Sequence, residues 1–158
     1  MQRVTLICVG KLKEKFYAQA AAEYVKRLSR YCKLTVIELP EERLPENPSR
    51  AQIDAALERE AAVIRGKLPP GAALAALCVE GEMCSSEELA HMMETWAGRG
   101  QLVFLIGGSF GLHASIKAEA VVRMSMSPMT FPHHLARVML LEQLYRAYQI
   151  NAGTRYHK

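Results

Sequence analysis

Five consecutive apolar residues, Leu102-Val-Phe-Leu-Ile106, end at Gly107 and Gly108. A run with no polar position has no solvent face, so it reads as a central strand covered on both sides. That demands a sheet with helices against both faces, and the rest of the chain supplies the parts. Val4–Val9, Leu34–Leu39, Ala73–Val79 and Val121–Met126 are the other strand candidates. Between them lie helical segments. Phe16 to about Arg30 has apolar residues at helical spacing (Phe16, Ala20, Tyr24, Leu28). Ser49 with Gln52, and Ser85 with Glu88, are capping boxes that start helices running to about Arg65 and Ala97. Ala114–Ala120 reads as a short helix and His133 to Gln149 as the last long one. Alternation of strand and helix predicts an α/β fold, a mainly parallel sheet flanked by helices. Ligands of such sheets sit beyond the carboxyl ends of strands, which points to Glu80–Cys84, Gly107–His113 and Ser127–His133.

The chain has 158 residues, the size of a single domain, 1–158. No apolar run approaches the roughly 20 residues that span a bilayer, so no membrane association is expected. The first ten residues read as a strand and not a signal peptide, and the expected location is cytoplasmic. Cys8, Cys32, Cys78 and Cys84 have neither C-x-x-C nor zinc spacing and read as reduced thiols. No His and carboxylate ligand set accompanies His133 and His134, so no metal is expected.

The net charge is +4, and its placement matters more than its size. Residues 1–103 balance, whereas Lys117, Arg123, Arg137, Arg146, Arg155 and Lys158 face only Glu119 and Glu142 in the last third. A basic end on a neutral body suits a polyanionic partner, and a merely solvated face remains the other reading.

Four features in that last third can carry chemistry. Gly107-Gly108-x-x-Gly111 lets backbone N–H groups approach a ligand, or is a tight turn with none. It is neither G-x-G-x-x-G nor a P-loop. Ser127-Pro-Met-Thr-Phe-Pro132 is a stiff loop, able to hold a planar ring by its hydrogen-bonding edge or simply to lead into the next helix. On that helix Glu142, Arg146 and Gln149 share a narrow polar face. Arg137 projects on the other side among apolar residues. It must find a phosphate, find a carboxylate of another subunit, or reach water from the first turn. A helix apolar over most of its circumference at a chain end also suggests a subunit interface. Finally, Arg155-Tyr-His-Lys158 combines cations, a stacking ring and a titratable group, which suits a flexible nucleotide unless the end is frayed.

These features in this order resemble one family, the RlmH-type ribosomal RNA methyltransferases of the SPOUT superfamily. The likeness is carried by Phe104-Leu-Ile-Gly-Gly-Ser-Phe-Gly-Leu112, Ser127-Pro-Met-Thr-Phe-Pro-His133, Arg137, Glu142-Gln-Leu-Tyr-Arg-Ala147 and Tyr156-His157. It extends to Val9-Gly-Lys-Leu-Lys13 and covers essentially the whole chain. The resemblance implies a C-terminal trefoil knot, an exception to the rule against knots. It implies a homodimer, S-adenosyl-L-methionine as cofactor, and methylation of N3 of a pseudouridine in large-subunit ribosomal RNA. By position it implies a cofactor site of Leu77, Gly107, Gly108, Gly111, Ser127, Pro128, Met129, Thr130, Phe131 and Pro132. Arg137, Glu142, Arg155 and Lys158 fall on the RNA side, and His157, Arg146, Tyr156 and His133 are the catalytic candidates. Removal of the N3 proton suits a histidine, His157 first and His133 second. Phe110 departs from the pattern, which leads one to expect a polar or acidic residue there. With no separate RNA-binding domain, the expected substrate is an assembled ribosome. Two other readings are a non-catalytic nucleotide-binding module and a dimeric ribosome-associated docking factor.

Overall fold

Every expected element forms, with shifts of a few residues at the ends. The computed structural model describes all 158 residues. In chain order the elements are β1 (Gln2–Val9), α1 (Lys15–Leu28), β2 (Cys32–Leu39), α2 (Arg50–Lys67), β3 (Ala73–Met83) and α3 (Ser86–Trp96). Then follow β4 (Leu102–Ile106), α4 (Ala114–Glu119), β5 (Val122–Ser125) and α5 (His133–Asn151). Both capping boxes are present with both of their hydrogen bonds, which fixes where α2 and α3 begin.

The five strands form one parallel sheet in the order β2-β1-β4-β3-β5. β4 lies at its centre, and all five of its residues are buried. The period of two sorts them between two cores. Leu102, Phe104 and Ile106 join Val4, Leu6 and Cys8 under α1, α3 and α5. Val103 and Leu105 join Ile7 and Val9 under α2 and α4, against Ala61, Ile64 and Ile116. Phe104 is fully buried, a contribution of roughly 1.5–3 kcal/mol for a side chain of its size.

One expectation of a loop is corrected. Glu80–Met83 belongs to β3, which continues alongside β5 after a register shift between Leu77 and Glu82. Gly81 lies in that irregular stretch because a Cβ would come 2.8 Å from the backbone carbons of Arg123 and Met124. Glu82 and Met83 pair with Met124 and Ser125 of β5, and Glu80 joins Leu77, Cys78 and Val79 on one side of the cleft described next.

Candidate functional site

The carboxyl ends of β3, β4 and β5 open into a cleft of about 690 Å³. That is a usual size for a small-molecule or cofactor site. Leu77 to Glu80 form one side, Ile106 to Leu112 the second and Met124 to Ser127 the third, and Met129 to His133 close it. Of the ten residues expected to bind cofactor, nine line this cleft, and Pro128 does not. Residues as far apart in sequence as Leu77 and Pro132 therefore line one cleft.

The two stiff segments have local causes. Gly107 is glycine because a Cβ would meet the Gly111 backbone, with its carbonyl carbon at 2.6 Å. The turn is closed by Gly111 N–H donating to Gly108 O at 3.1 Å, and Gly111 takes a left-handed φ of 80°. In the proline loop Ser125 Oγ donates to Ser127 O at 2.9 Å, and Ser127 Oγ accepts the Met129 N–H at 3.0 Å. Hydroxyl bonds of this kind set the direction of a short loop.

Cys78, Val79 and Lys117 line the cleft with no motif to announce them. Cys78 lines the wall, and burial pushes its thiol up, away from the thiolate a nucleophile needs. Glu80 and Lys117 form an ion pair at the mouth, and that hydrogen bond holds the Glu80 carboxyl below its ordinary range. Phe110, Val79 and Met129 leave exposed apolar surface at the rim. His133 lines the cleft from the first turn of α5, and burial pushes its pKa down. No group of three or more His, Cys, Asp or Glu side chains is placed to hold a metal ion.

The C-terminal residues form a second constellation. Arg146 Nη2 donates to Glu142 Oε1 at 2.6 Å, and Tyr156 Oη donates to the same oxygen at 3.1 Å. The Arg146 guanidinium carbon sits 4.8 Å from the Tyr156 ring centroid. Arg146 Nη1 lies 3.1 Å from His157 Nδ1, and His157 Nε2 lies 2.6 Å from Glu87 Oε1. The tail is folded against α5 and α3, which removes the reading of a frayed end. Burial and the Glu142 bond push the Tyr156 hydroxyl up to about 12. Arg155 and Lys158 are exposed and make no ion pair.

Within one chain the two constellations do not meet. Glu142 borders a separate hollow of about 510 Å³, which shares only Met124, Ser125 and Met126 with the cleft. His157 lines neither, and both of its ring nitrogens are engaged. Of the two histidine candidates, His133 is the one in the cleft. Gln149, expected beside Arg146 on the polar face, is buried, with its Oε1 accepting from Thr154 Oγ1 at 2.8 Å.

Arg137 requires a correction. Its expected partners were a phosphate, a second subunit or water. Instead Nη1 donates to Glu38 Oε2 at 2.6 Å and Nη2 to Gly10 O at 2.9 Å, with the side chain 5% exposed. The partner is a carboxylate 99 positions away at the end of β2. An arginine so placed satisfies its burial internally and ties α5 to the sheet.

A family model described as Predicted SPOUT methyltransferase matches residues 2–157. The chain belongs to the SPOUT methyltransferase family. This SPOUT chain is 46% identical over 159 residues to Ribosomal RNA large subunit methyltransferase H of Pelotomaculum thermopropionicum, with 99% of each covered. Its fold matches the crystal structure of a probable methyltransferase from Bordetella pertussis Tohama I. The TM-score is 0.61 at 16% identity, over 93% of this chain and 95% of the other. A probable methylase family protein from Haemophilus influenzae Rd KW20 aligns with a TM-score of 0.57 at 9% identity, over 99% of this chain and 71% of that one. At such identities these two structures speak to the fold alone.

Proposed function

We propose that this protein methylates N3 of a pseudouridine in large-subunit ribosomal RNA, using S-adenosyl-L-methionine and acting on assembled ribosomes in the cytoplasm. The observation that carries the reading is the single cleft uniting the glycine turn and the Ser127–Pro132 loop in a chain so similar to a ribosomal RNA methyltransferase. The cleft suits the cofactor in kind. It has a glycine turn where backbone approaches closely, apolar walls from Leu77, Ile106 and Met124, and a stiff proline-bounded loop. When bound, S-adenosyl-L-methionine would supply an electrophilic methyl group on a sulfonium.

The chain's own residues have three tasks. Leu77, Gly107, Gly108, Gly111 and Ser127 to Pro132 hold and orient the donor, and alignment alone carries much of the acceleration of a two-reactant step. His133, whose pKa burial lowers, takes up the N3 proton. Arg146, Tyr156, His157, Arg155, Lys158 and Glu142 receive the RNA. Since they do not reach the cleft of their own chain, we assign them to the cleft of the second subunit of a homodimer. Arg137, satisfied internally, supports the site by holding α5. We further infer that the chain beyond about Phe104 is threaded as a trefoil knot, as the family implies.

Titration calorimetry tests the cofactor assignment. Micromolar S-adenosyl-L-methionine binding with one site per subunit is expected, and no binding rejects the proposal. Turnover on naked RNA, isolated subunits and whole ribosomes tests the substrate. Whole ribosomes are expected to be methylated fastest, and equal rates on all three would remove the ribosome from the reading.

A further inference from the structure

A carboxylate outside the cleft holds the glycine turn from behind. Ser109 N–H, within the turn, donates to Glu41 Oε1 at 2.7 Å. The two residues are 68 positions apart, and Glu41 belongs to the acidic segment between β2 and α2. An acidic side chain in such a connection ordinarily faces water. Here the neighbouring residue helps to turn Glu41, which is half-buried, toward the glycine turn. Glu42 N–H donates to Glu60 Oε2 at 2.8 Å, and Glu60 is a buried residue of α2. The acidic segment is thus pinned to α2 on one side and grips the glycine turn on the other.

Two glycines make the grip possible. A Cβ on Gly108 would lie 2.5 Å from Glu41 Oε1, so only glycine leaves the carboxylate this room. Gly10, at a left-handed φ of 100°, would place a Cβ 3.7 Å from Glu41 Oε2 and 3.5 Å from His133 Nε2. Glu41 therefore stands at the corner where the glycine turn, the end of β1 and His133 converge. The turn needs such a hold. Its glycines give it more conformational freedom than any other five residues, and its one internal backbone bond leaves much of that freedom unspent. A charged acceptor on a main-chain donor is among the stronger hydrogen bonds.

We propose that Glu41 is a positioning residue for cofactor binding, fixing the glycine turn in its ligand-ready shape through the Ser109 amide. The inference rests on the reading of the cleft as the S-adenosyl-L-methionine site. Glu41 touches no reacting group. Its effect is to remove the ordering that binding would otherwise have to supply.

The test uses the full chain with Glu41→Ala and Glu41→Gln, since a glutamine carbonyl can still accept from Ser109. The first readout is amide hydrogen exchange at Ser109 without ligand. The second is the Kd for S-adenosyl-L-methionine by calorimetry. The third is the separation of cofactor KM from kcat. In Glu41→Ala, Ser109 exchange should accelerate about tenfold, and Kd and KM should rise about tenfold, the range for losing one charge-assisted bond. The kcat at saturating cofactor should change less than about twofold, because the orientation is recovered once the ligand is bound. Glu41→Gln should recover most of both losses. Unchanged exchange and Kd in Glu41→Ala would overturn the proposal. So would a glutamine variant as weak as the alanine one, or a loss confined to kcat. If the wild type binds no S-adenosyl-L-methionine, the functional reading falls, whereas the exchange measurement still decides whether Glu41 holds the turn.

Discussion

Gly107 and Gly108 are both glycine, for different reasons, and the difference is measurable. A side chain at 107 collides with the Gly111 backbone, which cannot move without opening the turn. A side chain at 108 meets the far end of Glu41, which can swing away. Gly107→Ala should therefore destabilise the fold by about 1–3 kcal/mol and abolish cofactor binding. Gly108→Ala should keep the wild-type Tm and reproduce the weakened binding of Glu41→Ala. Thermal melts and calorimetry on the two variants check this, and equal Tm losses would contradict it. His133 offers a second test at this scale. Burial lowers its pKa, so the neutral base persists to lower pH than for a free imidazole. The acid limb of the single-turnover rate, at saturating RNA, should lie below pH about 6.5 and disappear in His133→Ala. The same depression makes folding stability fall as pH drops through the folded value, because the unfolded chain binds the proton more readily. A limb that His133→Ala leaves in place would move the base elsewhere.

Among the elements, α5 carries His133 of the cleft and Glu142 and Arg146 of the C-terminal cluster, and the Arg137–Glu38 bond adds to the core packing that ties it to the sheet. Arg137→Ala leaves Glu38 without its partner, and Glu38 retains some access to water. We expect a loss of about 2 kcal/mol, below the range for a fully buried pair because of that access. For a chain of this size that is a fall of roughly 4–8 °C in Tm. The Arg137 hydrogen bond holds the Glu38 carboxyl below its ordinary range. The pair's contribution is therefore complete above the normal carboxylate pKa and is lost as pH falls through the depressed value. The stability gap between wild type and Arg137→Ala should be full at pH 7 and should narrow at pH 3 in denaturant titrations. A gap independent of pH would mean that the loss is one of packing. The elements themselves were legible in the sequence because their signals are local. The Ser49 and Ser85 caps, the apolar run of β1 and the unbroken apolar β4 each lie within one window of the chain. The continuation of β3 to Met83 was not legible, because its cause is the backbone of Arg123 and Met124 beside Gly81.

For the whole molecule, the division between the cleft and the tail cluster is the main consequence of the fold. If the second subunit completes each site, two damaged chains can repair one another. A Gly107→Ala chain has lost its cleft, and an Arg146→Ala, Tyr156→Ala chain has lost its C-terminal cluster. Each alone should be inactive. Their mixed dimer should regain one working site, giving about a quarter of wild-type activity after random exchange of equal amounts of subunits, with one site in each of the half of dimers that are mixed. No recovery in verified mixed dimers would place both halves of the site on one chain. By itself the sequence determined the order of elements and the two-sided sheet, which rest on periodicity read within short windows, and its motifs pointed to the family. Only the tertiary structure decided who meets whom. Glu41 takes the Ser109 amide, Glu38 takes Arg137, and the tail turns onto α5 and away from its own cleft. Those partners lie far apart along the chain or on surfaces that only packing brings together. A carboxylate's neighbours across space leave no trace in its neighbours along the sequence.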